Sequence, residues 1–121
     1  MTRRSSGLDI DERVSDARRT LALDGVLDIA SAPALHAAVS RICECGATGT
    51  RITLDLSGLS LIDSTGLAEI ILTSQLCDRD GFELTVVPGP HAVQRLFELT
   101  GLIDALPFAE SSDAPESSET R

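Results

Sequence analysis

Carboxylate and hydroxyl side chains crowd together at one place in this chain, the tetrapeptide Asp63-Ser64-Thr65-Gly66. It follows an alternating stretch from Thr50 to Leu56 and a short apolar pair, Leu61-Ile62, and it opens an apolar run that begins at Leu67. A helix starting there leaves amide N–H groups unpaired at its mouth, beside hydroxyls that another protein can reach. Such a junction can serve as a nucleophile, a helix cap or a phosphate acceptor.

The catalytic readings fail one by one. Asp63-Ser64-Thr65-Gly66 superficially resembles the Asp-Ser/Thr-Gly of aspartic proteases, but two hydroxyl residues precede the Gly. An α/β chain would also not supply the all-β dimer that pairs two carboxylates. A serine nucleophile needs a base and an orienting acid; the two histidines, His36 and His91, fall on helix positions read as solvated and assigned to surface solubility. Nothing around Ser64 matches a Gly-x-Ser-x-Gly elbow. Cys43-x-Cys45 with a distant Cys77 lacks the paired spacing of a zinc site. The sequence contains no Lys, which excludes a phosphate-binding lysine of the Walker type. No cofactor or metal is expected.

Composition narrows the classes further. At 121 residues the chain suits one domain with one core. A net charge of −9 opposes binding to phosphate backbones, and the 2% aromatic content, all Phe, removes the stacking platforms that single strands use. Nucleic acid is therefore not an expected partner. No apolar run nears the roughly 20 residues of a membrane span, and the first residues lack the apolar centre of a signal peptide; the expected location is the cytoplasm. Three cysteines inside apparent helices suit reduced, partly buried thiols rather than a disulfide framework.

The elements that must position the junction follow from periodicity. Residues 1–7 are polar and aperiodic and are expected to form a flexible arm. An edge strand is expected over Leu8 to Val14 and a second strand over Arg18 to Leu23, after which Asp24-Gly25-Val26-Leu27-Asp28 should leave the sheet. Ser31 is read as the cap of a helix bearing Leu35, Ala38, Val39 and Ile42, closed at Gly46. The next strand should span Thr50 to Leu56 and give way to a loop, Ser57-Gly58-Leu59-Ser60. The helix after the junction places Leu67, Ile70, Ile71 and Leu72 over more than half its circumference and should be well buried. A strand over Phe82 to Val87, an amphipathic helix over His91 to Thr100 and a last apolar segment ending at Phe108 complete the domain. Residues 109–121 are Ser, Glu, Asp, Pro and Thr-rich and are expected to be a disordered acidic tail. The order β-β-α-β-α-β-α specifies an α/β domain with a mixed sheet of four to five strands and its helices mainly on one face.

Without a base or a metal set, Ser64 is left as a cap or as a residue acted upon. Phosphate at a helix N-terminus is held by free amides and the positive end of the helix dipole, so modification there need not unfold anything. It adds about −1.5 to −2 of charge, beside Asp63 and, if their loop is adjacent, near Asp24 and Asp28.

Several segments together resemble the STAS-domain anti-sigma-factor antagonist family. They are Gly25-Val26-Leu27-Asp28, Ser31-Ala32-Pro33, Leu54-Asp55-Leu56, Ile62-Asp63-Ser64-Thr65-Gly66-Leu67 and Leu96-Phe97-Glu98-Leu99-Thr100-Gly101-Leu102, in the family's order across residues 8–108. The resemblance implies a single STAS domain over that range. It implies that Ser64 is the phosphoacceptor and that Asp28, Asp63, Ser64, Thr65 and Gly66 contact partners. It further implies an anti-sigma factor with a histidine-kinase-like ATPase fold as partner, a PP2C-type phosphatase to reverse the modification, and no catalytic groups in this chain. Val26 stands where the family commonly has an acidic residue and Ala68 where it has Gly. The alternative is a STAS subunit that regulates a membrane transporter, with the junction as a contact surface only.

Overall fold

The computed structural model of the chain describes residues 2–46 and 49–109. Five strands form one sheet in the order β1 to β5: β1 (Thr2–Ser5), β2 (Leu8–Ser15), β3 (Arg18–Leu27), β4 (Arg51–Ile62) and β5 (Glu83–Val87). The first three are antiparallel neighbours, while β3, β4 and β5 run parallel. Helices α1 (Ala32–Cys45) and α2 (Ser64–Arg79) make the two crossovers, and α3 (His91–Leu99) follows β5.

Alternation decides which sheet face is covered. Leu8 and Ile10, Leu21 and Leu23, Ile52, Leu54 and Leu56, and Val86 point to one side and are buried; Asp9, Asp11, Thr53 and Asp55 point to the other. The helices bury Leu35, Ala38, Val39 and Ile42 from α1, Leu67, Ile70 and Cys77 from α2, and Val93 and Phe97 from α3 in the same cluster. The expected mixed sheet with helices on one face is therefore what the chain forms.

Four details depart from the sequence-based expectations. The N-terminal residues do not hang free: β1 pairs with β2, Thr2 opposite Asp11 and Ser5 opposite Leu8, so β2 is an interior strand. The connection is a two-residue turn with Ser6 at φ 51° and Gly7 at φ 87°, the left-handed pair that matches strand twist in a hairpin. A polar edge strand carries no apolar alternation to announce it; Arg4 instead meets Asp9 at 3.0 Å.

Second, β3 and β4 run on through the stretches read as loops. Asp24 pairs with Gly58, Gly25 with Leu59, Val26 with Leu61 and Leu27 with Ile62, with register shifts between Ala22 and Asp24 and between Gly25 and Val26. These irregularities take up the glycines inside a continued ladder. A Cβ on Gly25, at φ +112°, would lie 2.2 Å from the Gly7 carbonyl oxygen, which accepts the Val26 amide at 3.1 Å.

Third, α2 is less buried than its composition suggests. Leu72 is exposed and Ile71 only partly covered, whereas Glu69 is buried. Glu69 can face inward because its carboxylate meets Nδ1 of His36 on α1 at 3.1 Å, so His36 joins the two helices and does more than solubilise the surface. Fourth, α2 begins at Ser64 and not at Leu67.

The C-terminal apolar segment forms a 3-10 turn (Ile103–Ala105) and then lies along β5: Val86 donates to the Pro107 carbonyl at 3.0 Å and accepts from the Ala109 amide at 2.8 Å. Phe108 stacks edge-on against Phe97, with centroids 5.2 Å apart. Ala109, assigned to the tail, is thus attached to the sheet; residues 110–121 of the expected acidic tail lie outside the described residues.

Candidate functional site

The site is built where β3 and β4 end side by side and α1 and α2 begin. Asp63 leaves β4 by donating its amide to the Leu27 carbonyl oxygen at 3.2 Å, which holds the junction against the end of β3. Its carboxylate then accepts the Gly66 amide at 2.9 Å, and its carbonyl oxygen accepts the Leu67 amide at 2.9 Å. Asp63 is the N-cap of α2, in extended conformation with φ −110° and ψ −174°.

Ser64 is consequently the first helical residue and not the cap. Its side chain is exposed, and its hydroxyl forms no hydrogen bond with the described residues. The amides of Ser64 and Thr65 belong to the first turn, which has no intrahelical acceptors for them. Thr65 is partly exposed and Gly66 buried. Gly66 is needed for close approach: a Cβ there would stand 2.5 Å from the Leu27 carbonyl oxygen and 2.8 Å from Cγ1 of Ile62. It belongs to the packing beneath the site, so of the five residues expected to touch a partner it has no side chain to offer.

Asp28 lies in the adjoining loop, as required if it shares a surface with Ser64, but its carboxylate also has local work. Oδ1 accepts the amides of Ala30 at 3.0 Å and Ser31 at 3.2 Å, turning the chain into α1. Ser31 occupies the N-cap position of α1 yet makes no capping bond with its side chain. Its buried hydroxyl instead donates to the Val26 carbonyl oxygen at 2.9 Å and accepts the Asp28 amide at 3.0 Å. Asp24 sits further back, opposite Gly58 on the strand, and is not part of this loop.

Charge is unevenly placed around the junction. Neither residues 20–40 nor residues 52–78 contain an Arg or Lys, so the segments that build the site provide no cation to neutralise a phosphate. A cavity of about 510 Å³ lined by Gln75, Phe82, Leu84 and Pro107 lies toward the opposite end of α2.

Exposed apolar residues near the junction, Ile29 and Leu61, escaped the sequence reading, because burial of an isolated Ile or Leu has no local signature. The cysteines are free, with Cys45 exposed and Cys77 buried. Burial, and then the neighbouring Cys43, pushes the Cys77 thiol up to about 12; burial and Asp80 raise Cys43. Among the described residues no three His, Cys, Asp or Glu side chains are grouped to hold a metal ion, and no helix is long and apolar enough to cross a membrane.

Comparison with known proteins bears on the family and the fold. A family model described as "Mlab, STAS domain" matches residues 10–107. The chain is 29% identical over 107 residues to the anti-sigma-B factor antagonist of Staphylococcus aureus (strain NCTC 8325 / PS 47), covering 88% of this chain and 96% of that protein. The crystal structure of an anti-sigma factor antagonist from Mycobacterium paratuberculosis superposes with a TM-score of 0.74 at 22% identity, covering 88% of each chain. The Bacillus cell fate determinant SpoIIAA in its phosphorylated form superposes with a TM-score of 0.64 at 19% identity, covering 91% of this chain and 99% of that one.

Proposed function

The chain belongs to the STAS domain family, and from that premise we propose that it is an anti-sigma-factor antagonist switched by phosphorylation of Ser64. Unphosphorylated, it binds an anti-sigma factor with a histidine-kinase-like ATPase fold and so frees a sigma factor. The partner transfers the γ-phosphoryl group of ATP to the Ser64 hydroxyl and then lets go; a PP2C-type phosphatase restores the active form. This chain contributes no catalytic group, acts in the cytoplasm, and uses Asp28, Asp63, Ser64 and Thr65, over Gly66, as its contact surface.

The observation that carries this reading is the exposed Ser64 hydroxyl, left free because Asp63 performs the capping. A phosphate there meets first-turn amides and the positive end of the helix dipole, so the fold tolerates it. What changes is the surface. About −1.5 to −2 of charge appears beside Asp63, worth roughly 1 to 4 kcal/mol for each close like-charge pair with a bound partner. At about 1.4 kcal/mol per tenfold change in affinity, that is enough to dissociate a complex. The test is incubation with the cognate anti-sigma factor and ATP, with the modified residue mapped by mass spectrometry. Phosphate should appear on Ser64 and vanish in Ser64→Ala; modification elsewhere, or unchanged in that variant, overturns the assignment.

A further inference from the structure

We propose that Cys43 and Cys77 form a reversible disulfide that staples α1 to α2, closed by exchange with a low-molecular-weight disulfide.

The pairing follows from how the two helices lie. Both cross between parallel strands, so α1 and α2 run side by side in the same direction. Contact between Nδ1 of His36 and the Glu69 carboxylate at 3.1 Å sets their register. Two turns further along each helix, that register brings Cys43 beside Cys77. The two thiols share a hydrogen bond. Cys77 is 1% exposed within the core, and Cys43 is partly covered against the same core. Cys45 is exposed and lies about 200° further round α1, on another side of the helix. From their contact, side-chain rotation brings the Cys43 and Cys77 sulfurs toward the roughly 2.05 Å of an S–S bond, and the cavity that Cys77 lines gives its side chain room.

Cys43 attacks first, because solvent reaches it and Cys77 is enclosed. Its thiolate attacks one sulfur of the small disulfide, breaking that S–S bond and releasing one thiolate. The Cys77 thiolate then attacks Sγ of Cys43 in the mixed disulfide, forming the bond between the helices and releasing the second. The protein gives up two electrons and two protons, which the two released thiols carry away. Burial holds both cysteines protonated at neutral pH, so the exchange is slow and answers sustained oxidation. A transient bond of this kind suits a compartment that keeps thiols reduced for most of the time. The loop it closes contains all of β4 and most of α2, and closing it restricts the unfolded chain and stabilises the fold. Ser64 lies at the other end of α2, about 20 Å away, so the staple does not depend on its modification.

The experiment incubates the full chain with oxidised glutathione, maps the cysteines by mass spectrometry of proteolytic fragments and records the melting temperature. Cys43 and Cys77 should be joined in a monomeric product two hydrogens lighter than the reduced chain. That product should melt about 10 °C higher and return to the original value with dithiothreitol. Cys45→Ser should behave as wild type, whereas Cys43→Ser should show neither cross-link nor shift. Glutathione left on Cys43 with Cys77 still reduced, or cross-links only between two chains through Cys45, overturns the proposal. A mapped bond between Cys43 and Cys77 that leaves the melting temperature unchanged overturns the staple.

Discussion

The carboxylate of Asp63 accepts the amide of Gly66 at 2.9 Å, and this one bond relieves Ser64 of capping the helix that it begins. Had Ser64 been the cap, its oxygen would be tied to the first-turn amides, and phosphorylation would compete with helix stability. With Asp63 in that position, the hydroxyl is available, and the proposed phosphorylation would leave the helix its cap. Modification can then change the surface without changing the fold.

Separating the two roles by mutation is direct. Asp63→Ala should lower stability by about 1 kcal/mol, the ordinary cost of losing a cap, whereas Asp63→Asn, which keeps an acceptor oxygen, should stay within a few tenths of wild type. Ser64→Ala should leave stability essentially unaltered. Urea denaturation of the three variants checks this, and a loss in Ser64→Ala equal to that in Asp63→Ala would assign the cap to the wrong residue.

Ser64→Asp should bind the anti-sigma partner at least tenfold more weakly than Ser64→Ala, because the added carboxylate stands beside Asp63 with no cation supplied by the adjoining segments. Titration calorimetry of both variants at low and physiological salt tests the mechanism. Equal affinities would remove charge as the basis of the switch.

Gly66→Ala should destabilise the domain by roughly 1 to 3 kcal/mol, the usual range for forcing extra atoms into a packed site. Alanine gains about 1 kcal/mol in helix propensity over glycine, but here its Cβ would stand 2.5 Å from a backbone oxygen that is fixed in the sheet. A melting temperature at or above that of wild type would mean that α2 can move away from β3 at little cost.

In the loop before α1, Asp28→Ala removes the acceptor for the Ala30 and Ser31 amides, while Asp28→Asn keeps one. The alanine variant should lose about 1 kcal/mol of stability and the asparagine variant much less. Faster amide exchange at Ala30 and Ser31 in the alanine variant alone is the accompanying signature.

Alkaline pH should unfold the protein partly through Cys77. Its thiol rises from 9.0 to about 12 in the folded chain, chiefly by burial, so the folded state stays protonated where the unfolded state has ionised. The contribution is complete below about pH 9 and is lost as pH climbs toward 12, with a slope of up to about 1.4 kcal/mol per pH unit. Denaturation midpoints across that window should fall more gently in Cys77→Ala than in wild type; parallel curves would discount the buried thiol. In the folded protein at neutral pH, Cys45 should react first with a thiol reagent, since it is the exposed one.

Much of the fold was legible because its signals are local. Ile52, Leu54 and Leu56 alternate with polar neighbours, and Leu35, Ala38, Val39 and Ile42 recur at helical spacing, so each segment announces its own period whatever it packs against. The strand over residues 2–5 gave no such announcement, because a polar edge strand pairs through its backbone and carries no apolar alternation. The extensions of β3 and β4 were hidden by Gly25 and Gly58, which read as breaks in isolation but are accommodated as irregularities once the two strands lie side by side.

At the junction the division is the same. The residue types alone, with no Lys and no histidine near Ser64 in the sequence, led to the expectation that Asp63-Ser64-Thr65-Gly66 is a place where chemistry is received. Only the tertiary structure decided which residue caps and which hydroxyl is exposed. Those outcomes depend on where the Leu27 carbonyl and the Asp28 turn fall relative to the start of α2, and that is set by pairing between strand residues more than thirty positions apart in the sequence.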